Sequence, residues 1–468
     1  MALRLLSPLA ALALLCLGGA AAPAAATEAA GAEPEFSPAR LGPTPADLRS
    51  AETTGPPALE SAPPGGAIRS AEEAVELALA QNPDLTAARA RVAAAVAAAQ
   101  PARAWADPRL ALEYSNMPID GPWPGRHPMS GIQLRAQQVF PFPGKIEARA
   151  AAADADVAVA EADVLEAASS LARTVREAFW RLALVRQLRT LTETHIELTQ
   201  SLIATVRASY ETGQAGQHNL LRLEVLEGRL EDELGDFDLA EARLTAALNA
   251  VMHRAADAPI ATPERTPEVP EAAPLSRLMD EATRHRGKLL QLQRRAAALR
   301  AQAEAALAEM RPDLTGWIGY RVRAPAGSDP GTDFVTAGIS IPLPWLWNAQ
   351  RWGAKARAAQ ARADAAEAAY LSLADTLRAR LVEARARLAR SRTQARTYES
   401  ELIPAARRTL EATLSAYQVG RADFATLYQA EVELLVFERT LRRARAEAQV
   451  AHADILALTG HSREEASP

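Results

Sequence analysis

From Lys145 to Thr212 the chain runs about 68 residues with neither Pro nor Gly, and its apolar residues recur at three- and four-residue spacing. A helix of that length is roughly 100 Å long at 1.5 Å per residue, far beyond what a compact domain needs. It follows GIQLRAQQVF, which alternates apolar and polar residues like a strand, through Pro141-Phe142-Pro143-Gly144. The constraint is therefore a two-sided strand joined through two prolines to a very long helix.

The chain carries this arrangement twice. Pro108 matches Pro312, the Pro141–Pro143 run matches Pro342–Pro344, and Tyr210-x-x-Gly213 matches Tyr417-x-x-Gly420, at separations of 204, 201 and 207 residues. A near-constant offset means tandem duplication. Each repeat reads helix, helix, strand, strand, very long helix, tight turn, helix. The expected layout is a first repeat over 70–256 and a second over 275–461. A Pro-rich linker covers 257–274 and a short tail 462–468. The strands are expected near 108–116, 130–140, 313–322 and 333–342, and the long helices near 145–212 and 348–418.

Before the repeats, residues 1–26 form a signal peptide: Arg4, then apolar Leu5 to Leu17, then Ala24-Ala25-Ala26 as the cleavage site. The single cysteine, Cys16, lies inside it, and lipidation there stays open as an alternative. Residues 27–69, rich in Ala, Pro, Gly and Glu, read as a flexible tail. After the signal no run of about 18 apolar residues offers a membrane helix, so membrane insertion has to use strands.

All four strands divide into faces. Leu110, Leu112 and Tyr114 oppose Ala111, Glu113 and Ser115; Ile132, Leu134 and Ala136 oppose Gln133, Arg135 and Gln137. Leu314, Ile318, Tyr320 and Val322 oppose Thr315, Trp317 and Arg321; Val335, Ala337, Ile339 and Ile341 oppose Thr336 and Ser340. A half-buried soluble sheet gives the same alternation, but a transmembrane sheet of four strands has unpaired edges and cannot sit alone in lipid. Three copies would supply twelve strands, a number bacterial barrels use. Pro141, Pro143 and Gly144, and likewise Pro342 and Pro344, then mark β-to-α junctions at the membrane's inner face.

Duplication, NPDLTAARA, VFPFPGK, the turns YETGQAGQHNLLRLEV and YQVGRADFATLYQAEV and the closing ALTG together resemble the TolC-type outer-membrane efflux proteins, over about Ser70 to Gly460. Phe-Pro-Phe-Pro-Gly-Lys looks most like the branch serving heavy-metal pumps of the resistance-nodulation-division class. The resemblance implies a mixed α and transmembrane β fold: a homotrimer whose twelve-stranded β-barrel sits in the Gram-negative outer membrane, with a long α-helical barrel crossing the periplasm. It implies a passive exit duct of a tripartite pump, with outer-membrane lipid, a periplasmic adaptor and an inner-membrane pump as partners. The adaptor-docking tip would comprise Tyr210, Gly213, Gly216, Tyr417, Gly420 and Arg421, with the three glycines at positive φ. Family members often carry acidic gate residues just past the second turn. Here the matching positions are Thr426 and Gln429, with Asp423 one turn earlier, either as an anionic ring or as a helix N-cap.

No nucleophile with a base, phosphate loop or metal-ligand spacing appears; His452 and His461 are too far apart for one helical face, and the seven histidines read as surface residues. No enzyme, cofactor or metal is expected. A net charge of −5 with interspersed signs argues against nucleic acid. Competing readings are a secreted periplasmic coiled-coil protein and the exit duct of a type I secretion system.

Overall fold

The computed structural model describes residues 68–116, 119, 121 and 125–463. The signal peptide with Cys16, most of the 27–69 tail, and residues 464–468 lie outside the described residues. The chain divides into two compact units, one of residues 105–141 and 313–342, the other of residues 68–104, 142–312 and 343–463.

The first unit is a four-stranded antiparallel sheet in the order β1 (Arg109–Ser115), β2 (Gly131–Phe140), β3 (Leu314–Arg323), β4 (Phe334–Ser340). β4 stops at Ser340, so Ile341 and Pro342, expected in the strand, lie beyond it. Its register carries the apolar alternation across every pair: Leu112 faces Leu134, Leu134 faces Tyr320, and Tyr320 faces Val335. One face is therefore apolar across all four strands, and it is open: Leu110, Leu112, Val335 and Ile339 are each about 70% exposed. The other face is polar and tied together. Arg135 pairs with Glu113 at 3.0 Å and lies over the Trp317 ring, while Gln133 Nε2 donates to Thr336 Oγ1 at 2.7 Å.

The second unit is helical. α1 (Ala71–Gln81) and α2 (Pro83–Ala99) precede α3 (Lys145–Glu211), and α4 (Gln217–Val251) returns along it. α5 (Leu275–His285), α6 (Gly287–Ala308), a single turn α7 (Pro344–Trp347), α8 (Ala349–Thr397), α9 (Ile403–Gln418) and α10 (Phe424–Thr459) complete it. α3 is 67 residues, about 100 Å. No helix among the described residues is long and apolar enough to cross a membrane.

The second long helix carries one irregularity within its helical run from Ala349 to Gln418. Residues Tyr398–Leu402 form a π-helical turn just before Pro404. Pro404 cannot donate to Ser400 and its ring would press on that carbonyl, so the ladder widens there. The tail and linker differ from expectation at one point. Ile68, counted in the flexible tail, is 2% exposed and bridges Ile260 of the linker. The linker is strapped to α3 where Arg186 donates to the Ile260 carbonyl and Gln187 to the Pro263 carbonyl.

Candidate functional site

Both reversals between long helices are built the same way. At the end of α3 the Gly213 amide donates to the Tyr210 carbonyl at 2.9 Å and the Gln214 amide to Ser209 at 2.8 Å. At the end of α9 the Gly420 amide donates to Tyr417 at 3.0 Å and the Arg421 amide to Ala416 at 2.8 Å. This is the Schellman pattern, which needs a left-handed residue after the cap, and Gly213 (φ 76°) and Gly420 (φ 71°) supply it. Gly216 does not: at φ −81°, ψ 149° it is the extended N-cap of α4, a conformation open to any residue, so the positive-φ expectation fails there.

The two tyrosines differ. Tyr210 is 44% exposed, whereas Tyr417 packs against the apolar cluster of Leu202, Val206, Leu410 and Leu427, with its hydroxyl enclosed and unpartnered. Arg421 is exposed beside Gly420.

Asp423 is the N-cap of α10. Its Oδ1 accepts the Thr426 amide at 2.9 Å and the Thr426 hydroxyl, and these bonds hold the carboxyl below its ordinary value. Asp423, Thr426 and Gln429 lie three residues apart and are all exposed, about 100° round α10 from its buried Phe424, Leu427 and Ala430. The structure thus places all three proposed gate positions on one open stripe.

At the first junction β2 ends at Phe140, and Gly144 at φ 84° precedes Lys145. Lys145 is 3% exposed, with Nζ 3.3 Å from Glu309; Arg311 donates to the Pro143 carbonyl at 3.2 Å and lies over the Phe142 ring. The second junction is built differently. β4 ends before Pro342, no glycine intervenes, and Pro344 opens the extra turn α7 before α8.

Sequence reasoning missed His195, read as a surface residue. It is 2% exposed, its Nδ1 2.7 Å from Glu431 and its Nε2 2.9 Å from Glu438, both on α10. Burial pulls the imidazolium down, but the bonds to Glu431 and Glu438 and their charges outweigh it and lift the ring from 6.5 to about 9. Glu438 is also held by Arg407 of α9, and the opposing contributions leave it below its ordinary value: burial raises it, His195 and Arg407 lower it more. A signal was present: Glu431 and Glu438 fall seven apart, in the same stripe as Leu427, Leu434 and Leu441, where a solvated residue would not repeat.

A sheet with one lipid-compatible face and two free edges, in a chain that also carries a duplicated array of helices up to 67 residues long, defines a membrane-inserted channel subunit. Residues 74–254 and 278–461 match the outer membrane efflux protein family, and the chain belongs to that family. Its fold is similar to the outer-membrane channel OprN (20% identity, TM-score 0.69, 83% of this chain and 89% of OprN). VceC of Vibrio cholerae gives 22% identity and TM-score 0.69 over 84% of this chain and 96% of VceC. CusC gives 18% and 0.68 over 84% and 92%. No match is found among curated proteins. The chain is an outer-membrane efflux channel of the TolC-like fold, and the family is one of conduits, not enzymes.

Proposed function

We propose that three copies of this chain close a twelve-stranded barrel and serve as the outer-membrane exit duct of a tripartite efflux pump. The observation that carries this is the sheet: its apolar face is continuous over four strands while β1 and β4 each keep one edge unpaired. Unpaired edges are untenable in lipid, and neighbouring copies are the simplest partners that satisfy them.

Within this reading the turns at Tyr210–Gly216 and Tyr417–Arg421 are the tip that a periplasmic adaptor grips. They close the ends of α3 and α9, and α3 begins some 100 Å away at Lys145. Asp423, Thr426 and Gln429 form the stripe that narrows the closed pore, with Asp423 also capping its helix. Cargo choice belongs to the inner-membrane pump; heavy-metal cations are the cargo suggested by Phe140-Pro-Phe-Pro-Gly-Lys145.

The test is twofold. Cross-linking in mild detergent should trap a trimer from outer-membrane fractions, and a deletion strain should lose efflux of the cognate pump's substrates. A species that remains monomeric after cross-linking, or that fractionates away from the outer membrane, would overturn the duct; unchanged metal tolerance would overturn the metal cargo alone.

A further inference from the structure

The helical unit holds a second constellation, separate from the turns and from His195. A cavity of about 340 Å³ is lined by Arg173 of α3, Arg286 between α5 and α6, Arg380, Glu383 and Arg387 of α8, and Asp454 of α10. Four guanidinium groups thus share it with two carboxylates.

Those carboxylates are already engaged. Asp454, 7% exposed, accepts from Arg173 at 2.5 Å and from Arg387 at 2.8 Å. Glu383 stands 3.8 Å from Arg387, as does Glu447; Glu177 stands 3.4 Å from Arg173. Arg286 gives one arm to the Ala457 carbonyl and the other to Glu166 at 2.7 Å. Five carboxylates thus stand by the four guanidinium groups, yet some N–H donors are unused: the Arg387 Nε is enclosed without a hydrogen bond, 3.8 Å from Glu383, and Arg380 makes no hydrogen bond or ion pair among the described residues.

Burial pushes the Arg286 guanidinium below its ordinary value, and the charges of Arg380 and Arg173 push it further, against the opposing pull of Glu166. Like charges gathered around an open cavity are tolerable in water and become favourable when an anion sits among them. The cavity is also uncovered by α5. That helix packs on Leu377, Leu381, Ala384 and Leu388 of α8, whereas Arg380, Glu383 and Arg387 lie about 100° further round at 3.6 residues per turn.

We propose that this cavity binds a small multivalent oxyanion, with Arg380 as the ligand-facing donor, Arg286 beside it tied to Ala457 and Glu166, and Arg173 and Arg387 held in place by Asp454. Paired oxygens of a phosphate or polycarboxylate match the forked geometry of guanidinium, and the volume admits a group of that size. Asp454 fixes two arginines as walls, which leaves Arg380 the one that gains its first partner.

The experiment uses the full-length protein in detergent and titrates inorganic pyrophosphate by calorimetry at fixed ionic strength. Arg380→Gln removes a side chain with no hydrogen bond or ion pair among the described residues, and Arg362→Gln removes an exposed arginine elsewhere on α8 as the control. The proposal expects saturable binding that weakens about tenfold or more in R380Q and is unchanged in R362Q. A phosphate monoester titrated in parallel tells the source: similar binding means the site takes the end of a larger molecule, and pyrophosphate alone means a free anion. Absence of saturable binding by the unaltered protein, or equal weakening in both variants, overturns the proposal.

Discussion

Replacing His195 with Gln tests the buried cluster directly. The ring bridges Glu431 and Glu438, so the variant loses a cation between two carboxylates that are 1% and 8% exposed. Arg407 still holds Glu438, and Arg439, bound to Thr192 and Glu233, lies one residue on; Glu431, whose Oε2 already lacks a partner, is left with none. Raising the imidazole from 6.5 to about 9 corresponds to about 3 kcal/mol of stabilisation. Because the folded value lies above the unfolded one, that stabilisation is complete below about pH 6.5 and is lost as pH rises through 9. Hydrogen exchange, corrected for intrinsic rate, should read it in the peptides of α3 and α10 around these residues, alongside thermal unfolding from pH 6 to 9.5. The unaltered protein should lose protection across that window and converge on H195Q at its alkaline end, while H195Q stays flat. Parallel pH profiles for the two proteins, or a penalty under about 1 kcal/mol at pH 6, would show that the ring is neutral in the fold and refute the argument.

Three further outcomes are expected. Gly213→Val and Gly420→Val should each cost about 1–2 kcal/mol at their turn through φ alone, since no atom lies within 4 Å of the added Cβ; trimer assembly in the outer membrane should survive while export falls. Leu112→Arg should cost about 2–4 kcal/mol if the residue sits near the bilayer midplane, visible as loss of heat-resistant trimer, whereas Glu113→Arg on the polar face should retain it. Gly287→Val should lower the unfolding midpoint, because its Cβ would fall 2.2 Å from the Glu166 backbone nitrogen; overpacking of this kind costs about 1–3 kcal/mol.

The features legible in the sequence are those that local chemistry dictates. A strand facing two solvents must alternate, so Leu110 to Tyr114 and Ile132 to Ala136 declared their faces, and the observed register puts those faces together. A Schellman turn needs a left-handed residue, which only glycine adopts cheaply, so Gly213 and Gly420 were visible as well. Gly216 misled for the same reason: glycine permits positive φ but does not require it. His195 was hidden because its environment comes from α10, 236 and 243 residues away, and a lone histidine carries no local sign of what it will meet. The anion cavity was equally invisible, since Arg173 of α3, Arg286 between α5 and α6, and Arg380 and Arg387 of α8 converge only when α6 and α10 each pack against both α3 and α8.

Where the two repeats differ is as informative as where they agree. Both keep the two Schellman bonds of the turn that joins a long helix to its return, though Tyr210 is exposed and Tyr417 is packed. They diverge at the start of the long helix, with a left-handed Gly144 in one and the extra turn Pro344–Trp347 in the other, and again midway, where only the second repeat carries Pro404 and its π-turn. A π-turn is a local widening of the helical ladder, and such places bend more readily than regular helix. The His195 cluster ties this same region down, because Arg407, three residues past Pro404, holds the Glu438 that His195 also holds. The second repeat thus carries the ready bend, and a buried ionic fastening joins it there to His195 of the first repeat.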